Sequence, residues 1–290
     1  MLEKIFKQRL ALFAHLVLLK QSLFGLPWTI VGGLLPYLTA DLPVVLQTWA
    51  LLFGAFFSAR FAGMLCNRVI DRHIDAQNPR TRMRAVAQGD VRVYSVIMQA
   101  ILFLFLFFIF MFEINALCFA LAPFLAILIV GYSYTKRFTY FCHAILGLVH
   151  FFGPVCAWVA VTGTLTPLPL CLGAALALSI TANDIVYSMQ DMEIDREEGL
   201  FSIPARFGKE KALRIAQQLH LLSVLLLSLC AYMLPSYIFF CGALAVGLLF
   251  FRGYVRLSHT SFEKAFTLAN TFSGIILLVF TIGAVAWRAL

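Results

Sequence analysis

Long apolar runs separated by short polar clusters fill almost the whole chain of 290 residues. Each run has about the 20 residues that a helix needs to cross a bilayer. Helices are expected because lipid offers no hydrogen-bond partner to an open backbone, and the runs lack the alternation of barrel strands. The predicted spans are residues 12–38, 44–66, 92–112, 114–132, 139–162, 167–188, 212–231, 235–251 and 266–287.

Positive charges are confined to alternate loops of this pattern. Lys and Arg residues precede the first span and follow the second, fourth, sixth and eighth, whereas the charged residues of the other connections are Asp41 and Glu113. Positively charged loops are retained on the cytoplasmic side of a membrane. We therefore expect a multi-pass protein of the cell inner membrane, with its N-terminus in the cytoplasm and its C-terminus outside.

Composition supports a lipid environment. The chain is 62% hydrophobic and 12% charged, whereas about a quarter of the residues in soluble domains are charged. The net charge of +8 is accounted for by the cytoplasmic loops, so nucleic acid is not expected as a partner. The seven cysteines lack the spacing of a metal site and are predicted to be small buried hydrophobes.

A first acidic cluster closes the second predicted span. Asn67, Asp71 and Asp75 are spaced by four residues, which places all three side chains on one face of a helix. Oxygen donors aligned in this way suit a hard cation, and two such close carboxylates repel each other unless a cation lies between them. The alternative is a solvated helix end whose aspartates pair with Arg68 and Arg72.

A second acidic cluster closes the sixth predicted span. Asp184, Tyr187, Asp191 and Asp195 are spaced by three, four and four residues, and they too share one helix face. Asp184 lies just inside the apolar region, where a carboxylate is costly and usually functional. Together the two clusters predict a cytoplasmic Mg²⁺ site, because Mg²⁺ binds through few carboxylates and otherwise prefers water and phosphate oxygens.

The matching positions of the clusters indicate an internal duplication, as in many transporters. We therefore expect an all-α membrane protein with about nine transmembrane helices. They would form a single domain over residues 1–290, in two pseudo-repeated halves, roughly 12–162 and 167–287, around a central cavity.

Cations near the clusters extend the prediction from a metal to a diphosphate. Arg80 and Arg84 follow the first cluster, and Lys136 and Arg137 lie between the two. Arginine binds phosphate with two parallel hydrogen bonds, although for any single arginine loop topology alone is a sufficient explanation. Arg60 lies within the second span, where a charge needs a partner, and is expected to face the cavity.

The residues of both clusters resemble the two signature motifs of the UbiA superfamily of intramembrane prenyltransferases. The similar segments are residues 67–81 and 184–195, and residues 131–137 and 202–208 also look like family segments. Within the superfamily, the chain most resembles the 4-hydroxybenzoate polyprenyltransferases and their relatives in menaquinone synthesis. Residues 82–89 depart from the family pattern because they lack its prolines, although Arg84 and Gly89 are kept.

The resemblance implies a role for each matching residue. The residues implied to hold Mg²⁺ are Asn67, Asp71, Asp75, Asp191 and Asp195, and the four aspartates among them are also the implied catalytic residues. The residues implied to bind the diphosphate or the aromatic substrate are Arg60, Arg72, Arg80, Arg84, Lys136, Arg137, Asp184 and Tyr187. No catalytic role is assigned to the histidines, because those in apolar helices, such as His143 and His150, lack metal-ligand spacing.

The resemblance also implies an activity, the transfer of a polyprenyl group from polyprenyl diphosphate to an aromatic acid of the 4-hydroxybenzoate type in quinone biosynthesis. The mechanism would be Mg²⁺-assisted ionisation followed by electrophilic aromatic substitution. One alternative is the same chemistry on a naphthoate-type acid for menaquinone. Another, from a different class, is a membrane transporter, although transporters are expected to place their charges at mid-membrane.

Overall fold

Every regular element that the structure, a computed structural model, describes is a helix. It describes residues 11–19, 24–256 and 262–290; the basic N-terminal segment and Lys20 lie outside these ranges. The helices are α1 (Leu26–Leu34), α2 (Pro36–Thr39), α3 (Leu46–Ile70), α4 (Arg72–Gln77), α5 (Ala85–Gln88), α6 (Val93–Ile114), α7 (Ala116–Thr135), α8 (Cys142–Thr162), α9 (Pro167–Ser188), α10 (Met192–Glu197), α11 (Ile203–Met233), α12 (Tyr237–Arg256) and α13 (Phe262–Arg288).

The predicted fold class, an all-helical membrane protein, is confirmed. Among the described residues, seven helices are long and apolar enough to cross a membrane, and Tyr237–Gly253 is a shorter apolar helix. The first predicted span differs from the others because its described part is not one long helix. Its described part contains α1, nine residues long, and α2, which starts at Pro36, because proline favours the first turn of a new helix.

The helix that contains the seventh predicted span, α11, is longer than predicted. The seventh predicted span was residues 212–231, but α11 begins at Ile203, with Ser202 accepting a hydrogen bond from the Ala205 N–H as its N-cap. Gly208 interrupts the helix with a left-handed φ of 76°, which glycine adopts without strain. The early start brings Ser202 and Ile203 to the polar end of the bundle.

Close approach of α8 and α9 positions the candidate site. A Cβ atom at Gly147 would lie 2.3 Å from Thr181 Oγ1 and 2.4 Å from the Ala177 carbonyl oxygen, so only glycine fits this crossing. Helices in lipid gain little from apolar burial, and small residues at a crossing allow tight packing instead. The crossing lies next to His143 on α8 and Asp184 on α9.

Both acid-bearing spans end in the same local structure. α3 ends at Ile70 and α4 follows Asp71, while α9 ends at Ser188 and α10 follows Asp191. The expectation of one unbroken helix through each cluster was therefore wrong, because the backbone leaves helical geometry at both aspartates, with ψ of 3°. Hydrogen bonds of 2.8 Å from Asp75 N to Asp71 O and from Asp195 N to Asp191 O still keep each acid pair one turn apart.

Candidate active site

A polar cavity of about 230 Å³ lies where the two acid-bearing helix ends meet. Both acidic and basic side chains line it, and both predicted halves of the chain contribute. The predicted site residues that line it are Asn67, Asp71, Asp75, Arg80, Arg84, Lys136, Asp184, Tyr187, Asp191 and Asp195. The structure thus brings together side chains that are far apart in the sequence.

Asp71 is held by an amide and two cations. Its Oδ2 accepts a hydrogen bond of 2.7 Å from Asn67 Nδ2, and Lys136 Nζ lies 3.7 Å from the same oxygen. Arg137 Nη2 is 3.3 Å from Oδ1. Burial raises the pKa of Asp71 above its ordinary value, an effect that the charges of Lys136 and Arg137 reduce. A buried carboxylate of this kind gains from any further positive charge in the cavity.

Asp75 pairs with an arginine from its own connecting loop. Arg84 Nη1 lies 2.7 Å from both carboxylate oxygens of Asp75. The Thr81 hydroxyl donates to the Asp75 carbonyl oxygen at 3.1 Å. These contacts fold the loop after α4 back over the first cluster, even though the loop lacks the prolines of the family pattern.

Arg80 crosses from this loop to the second cluster. Its Nε and Nη2 donate to the two carboxylate oxygens of Asp191 at 2.9 and 2.5 Å, and its Nη1 donates to Tyr187 Oη at 2.8 Å. Asn78 Nδ2 donates to Asp191 Oδ1 at 2.8 Å. Burial lowers the pKa of Arg80, but its hydrogen bond to Asp191 and the Asp191 charge more than offset this, so the pKa lies above its ordinary value.

His143 is a site residue that the sequence analysis missed. It lines the polar cavity, and its Nδ1 lies 2.7 Å from Asp184 Oδ2. Its position on an apolar helix, six residues after the Arg137 loop residue, gave no signal, because the contact depends on the α8–α9 crossing. Asp195, further along the cavity, has a pKa raised by burial and lowered in part by a hydrogen bond with Ser202.

A second cavity, of about 130 Å³, adjoins the polar one. Phenylalanines and aliphatic residues make up most of its wall, and Tyr132 and Leu146 line both cavities. Arg60 lies on the wall of this apolar cavity and not on that of the polar one. Its prediction as a cavity-facing residue therefore holds for a different cavity from the one that the acids line.

Two predicted substrate contacts do not line either cavity. Arg72 donates to the Val69 carbonyl oxygen at 2.9 Å, because its offset of one residue from Asp71 turns it around the helix. Arg137 donates to the carbonyl oxygens of Ile70 at 2.8 Å and Ser133 at 3.2 Å. Both arginines bind backbone at helix ends, where carbonyl groups lack helical partners, so the structure gives no support to direct substrate contact.

The polar cavity has the donor chemistry for Mg²⁺ but not a closed protein cage. Among the described residues, no group of three His, Cys, Asp or Glu side chains is placed to hold a metal ion. The Asn67 amide and the Asp71 and Asp191 carboxylates supply oxygen donors to one cavity. This arrangement fits an ion that binds through one or two carboxylates and completes its shell with water and phosphate.

Fold and cavities together define a membrane protein with a polar cavity and an apolar cavity side by side. A family model described as the UbiA prenyltransferase family matches residues 26–276, and the chain belongs to this family. It is thus an enzyme, a prenyltransferase, and the resemblance found in its two acidic motifs is confirmed. The transporter alternative has no support from this assignment.

Individual relatives agree with the family assignment. The chain is 29% identical over 246 residues to a 4-hydroxybenzoate octaprenyltransferase of Nitrosomonas eutropha, covering 84% of this chain and 85% of the relative. A UbiA homolog from Aeropyrum pernix K1 matches with a TM-score of 0.82 and 27% identity, over 91% of this chain and 98% of that one. A UbiA homolog from Archaeoglobus fulgidus, bound to DMAPP and Mg²⁺, shares the fold with a TM-score of 0.76 and 18% identity, over 94% and 99%.

Proposed function

We propose that this prenyltransferase moves a polyprenyl group from polyprenyl diphosphate to an aromatic acid of the 4-hydroxybenzoate type, as a step in quinone biosynthesis. The observation that carries the proposal is the pair of adjoining cavities. One is lined by phosphate-binding cations and oxygen donors, and the other is apolar and contains Arg60. The relative from Nitrosomonas eutropha is named for this activity.

The polar cavity is suited to the diphosphate. Lys136, Arg80 and Arg84 line it, and each now binds a carboxylate of the chain. Phosphate oxygens have the same charge and a similar geometry, and arginine binds both groups with paired hydrogen bonds. A diphosphate would therefore share these cations with the acids, which accounts for the many charged side chains that line this cavity.

Asn67, Asp71, Asp75, Asp191 and Asp195 would hold Mg²⁺ beside the diphosphate. The bound ion supplies neutralisation of the negative charge that develops on the departing diphosphate. Arg80 and Lys136 add positive charge on the same side of the breaking bond. The leaving group thus departs with the electron pair of the C–O bond toward the cations, and the allylic carbon faces the apolar cavity.

The apolar cavity is suited to the remaining chemistry. Its aromatic and aliphatic wall excludes water, which would otherwise capture the allylic cation. Aromatic ring faces also stabilise a nearby cation. A ring carbon of the acceptor forms the new C–C bond with its π electrons, and the same carbon then releases its proton to an oxygen of the departed diphosphate, which restores aromaticity.

Arg60 is proposed to bind the carboxylate of the aromatic acid. A carboxylate enters an apolar cavity only if it is paired, since an isolated charge there is costly. Arg60 provides a guanidinium on the cavity wall, apart from the cations of the polar cavity. This separation supports a role for Arg60 in binding the acceptor and for Arg80, Arg84 and Lys136 in binding the diphosphate. A naphthoate-type acid carries the same carboxylate and is the alternative acceptor.

The proposed setting is the inner membrane, with the polar cavity facing the cytoplasm. The loops that carry Arg80, Arg84 and Lys136 belong to the positively charged set, which is retained on the cytoplasmic side. Soluble aromatic acid would reach the site from there, while the polyprenyl tail remains in lipid.

The test is prenyl transfer by the purified protein with Mg²⁺, a polyprenyl diphosphate and either acid. Asp71→Ala and Asp191→Ala should each lower turnover by about 1,000-fold, comparable to the loss of a principal charge-stabilising group. Asp41→Ala is the matched control, because Asp41 is fully exposed and bonds Arg288 instead of a cavity residue. Full activity of either cavity variant, or activity in EDTA, would contradict the Mg²⁺ site, and transfer to neither acid would contradict the acceptor class.

A further inference from the structure

Asp184 differs from the other acids of the polar cavity in its partner. Asp71, Asp75 and Asp191 each contact a lysine or an arginine, whereas the partner described for Asp184 is His143, with Nδ1 2.7 Å from Oδ2. The histidine is buried, with 3% of its surface exposed, and the Asp184 side chain retains 24% exposure. The pair therefore combines a sequestered imidazole with a carboxylate that still faces the cavity.

Hydrogen bonding fixes the tautomer of His143. The backbone N–H of Ile203 donates to Nε2 at 3.3 Å, and a backbone N–H can only donate. Nε2 is therefore the acceptor nitrogen, and Nδ1 carries the proton that it donates to Asp184. The hydrogen bond from Nδ1 stabilises the charged form of the Asp184 carboxylate.

Three helices immobilise this histidine. It lies on α8, it contacts α9 through Asp184, and it contacts the first residue of α11 through Ile203. The Thr181 hydroxyl also donates to its carbonyl oxygen at 3.3 Å. The tight crossing at Gly147, one turn further along α8, prevents the two helices from sliding. Asp184 is thus held in one direction by a rigid partner.

The same face of α8 links the two cavities. His143 lines the polar cavity, Leu146 lines both, and His150 lines the apolar one. Residues three and seven positions apart lie on one side of a helix. An aromatic acid whose carboxylate binds Arg60 in the apolar cavity would lie along this face, with its opposite end toward Asp184.

We propose that His143 is a positioning residue that orients the Asp184 carboxylate to accept a hydrogen bond from the ring hydroxyl of the aromatic acceptor. This inference rests on the proposed function, because it requires a hydroxylated aromatic substrate. When the ring hydroxyl donates a hydrogen bond to a carboxylate, its oxygen becomes more electron-rich and releases more electron density into the ring. The ring then attacks the allylic cation more readily. His143 touches neither substrate and acts only through Asp184.

The two hydrogen bonds specify which substitutions preserve this role. In His143→Gln, the side-chain amide can donate to Asp184 while its carbonyl oxygen accepts from Ile203. In His143→Leu both bonds are lost at similar volume. We expect kcat/KM for the acid to fall about 100-fold in the leucine variant, as for misplaced reacting groups, and to recover most of the loss in the glutamine variant. KM for the polyprenyl diphosphate should be unchanged in both.

A matched control and a second cycle separate positioning from folding. His220 is also a buried histidine, with 5% exposure, and stacks on Phe250, so His220→Leu should leave both sets of constants unchanged. Asp184→Asn should reproduce the acceptor defect, and the double variant His143→Leu/Asp184→Asn should be no worse than the worse single variant, since coupled residues are not additive.

Several results would overturn the inference. Equal defects in the glutamine and leucine variants would show that the hydrogen bonds are irrelevant, and an equal rise in KM for the diphosphate would show a general structural role. Additive losses in the double variant would show that His143 does not act through Asp184. Wild-type protein that transfers to neither acid would overturn the proposed function and this inference together, whereas the other results leave the proposed function intact.

Discussion

The helix ends after α3 and α9 have the same local pattern, an aspartate followed by a six-residue helix with a second aspartate one turn further on. They differ in the origin of the cations that neutralise them. Asp71 and Asp75 contact Lys136, Arg137 and Arg84, which all belong to the predicted first half. Among the described contacts, Asp184 and Asp191 of the second end also receive their donors from that half, whereas Asp195 has a hydrogen bond with Ser202 of the second half.

The second end therefore depends on the first. Arg80 and Asn78, from the loop after α4, bind Asp191, and His143, from α8, binds Asp184. The basic residues Arg196 and Arg206 of the second half point elsewhere, to the Ala205 carbonyl oxygen and the Tyr140 ring. Two helix ends with the same local pattern thus form an asymmetric cavity, in which residues of the first half supply the cations and both halves supply acids.

Among substitutions that break the link between the two helix ends, Arg80→Ala is expected to have the largest effect. The substitution removes both bonds to Asp191 and the bond to Tyr187, and it leaves Asp191 with one described donor, Asn78. Hydrogen bonds to charged groups contribute about 1.5–3 kcal/mol each, and the partial exposure of Arg80 keeps these bonds near the lower value, so we expect kcat/KM for the diphosphate to fall about 100-fold. Steady-state kinetics with varied polyprenyl diphosphate measures this loss.

Arg82→Ala is the matched control, because Arg82 is an exposed arginine of the same loop. It should behave as the wild-type protein does. Arg80→Lys should restore only part of the activity, since an ammonium group cannot make the paired bonds of a guanidinium. Equal losses in Arg80→Ala and Arg82→Ala would show that loop charge alone matters, and the link between the two ends would be without function.

The positions of the acids could be predicted from the sequence, but most of their partners could not. Spacings of three and four residues fixed which side chains of each cluster face one way, and all of the predicted acids line one cavity. Arg80 reaches across to Asp191, and His143 reaches Asp184 only because Gly147 allows α8 and α9 to approach. Such contacts depend on tertiary packing, which local spacing does not encode.

The same limit explains the incorrect parts of the prediction. The helices break at Asp71 and Asp191, because the chain turns there from a long apolar helix into a polar connecting segment. Arg72 satisfies a backbone carbonyl at this break, and a sequence pattern does not distinguish such a role from a ligand contact. Arg60 was expected to face a cavity, but its separation from the cations of the polar cavity became visible only in the structure.

Arg60 tests whether the polar and apolar cavities bind different substrates. Arg60→Leu should raise KM for the aromatic acid by about 30-fold, as expected for the loss of one charged pair, and leave KM for the diphosphate unchanged. A benzamide acceptor, which lacks the carboxylate charge, should be a poor substrate for the wild-type protein. The leucine variant should not distinguish the benzamide from the acid.

Kinetics with the two acceptors and both proteins completes this cycle. A leucine variant that still prefers the acid as strongly as the wild-type protein would show that another group binds the carboxylate. A rise in KM for the diphosphate instead would place Arg60 with the phosphate-binding cations and remove the division of roles between the cavities.

The smallest effects are expected from substitutions of Lys136 and Arg137, the two neighbouring cations that contact Asp71. Lys136 lines the polar cavity, whereas Arg137 donates to the carbonyl oxygens of Ile70 and Ser133. Lys136→Ala should raise KM for the diphosphate about tenfold with little change in Tm, because a partly exposed charge is lost without breaking helix-end contacts. Arg137→Ala should instead lower Tm by about 4 °C, since it leaves backbone carbonyls unpaired.

Thermal unfolding in detergent and kinetics on the same preparations measure both quantities. Each variant is the control for the other, because adjacent positions lose one positive charge in both cases. If the two variants had the same KM and the same Tm, both effects would depend only on the net charge at the end of α7. A split in the opposite direction would place Arg137 on the substrate and make Lys136 the residue that supports the helix ends.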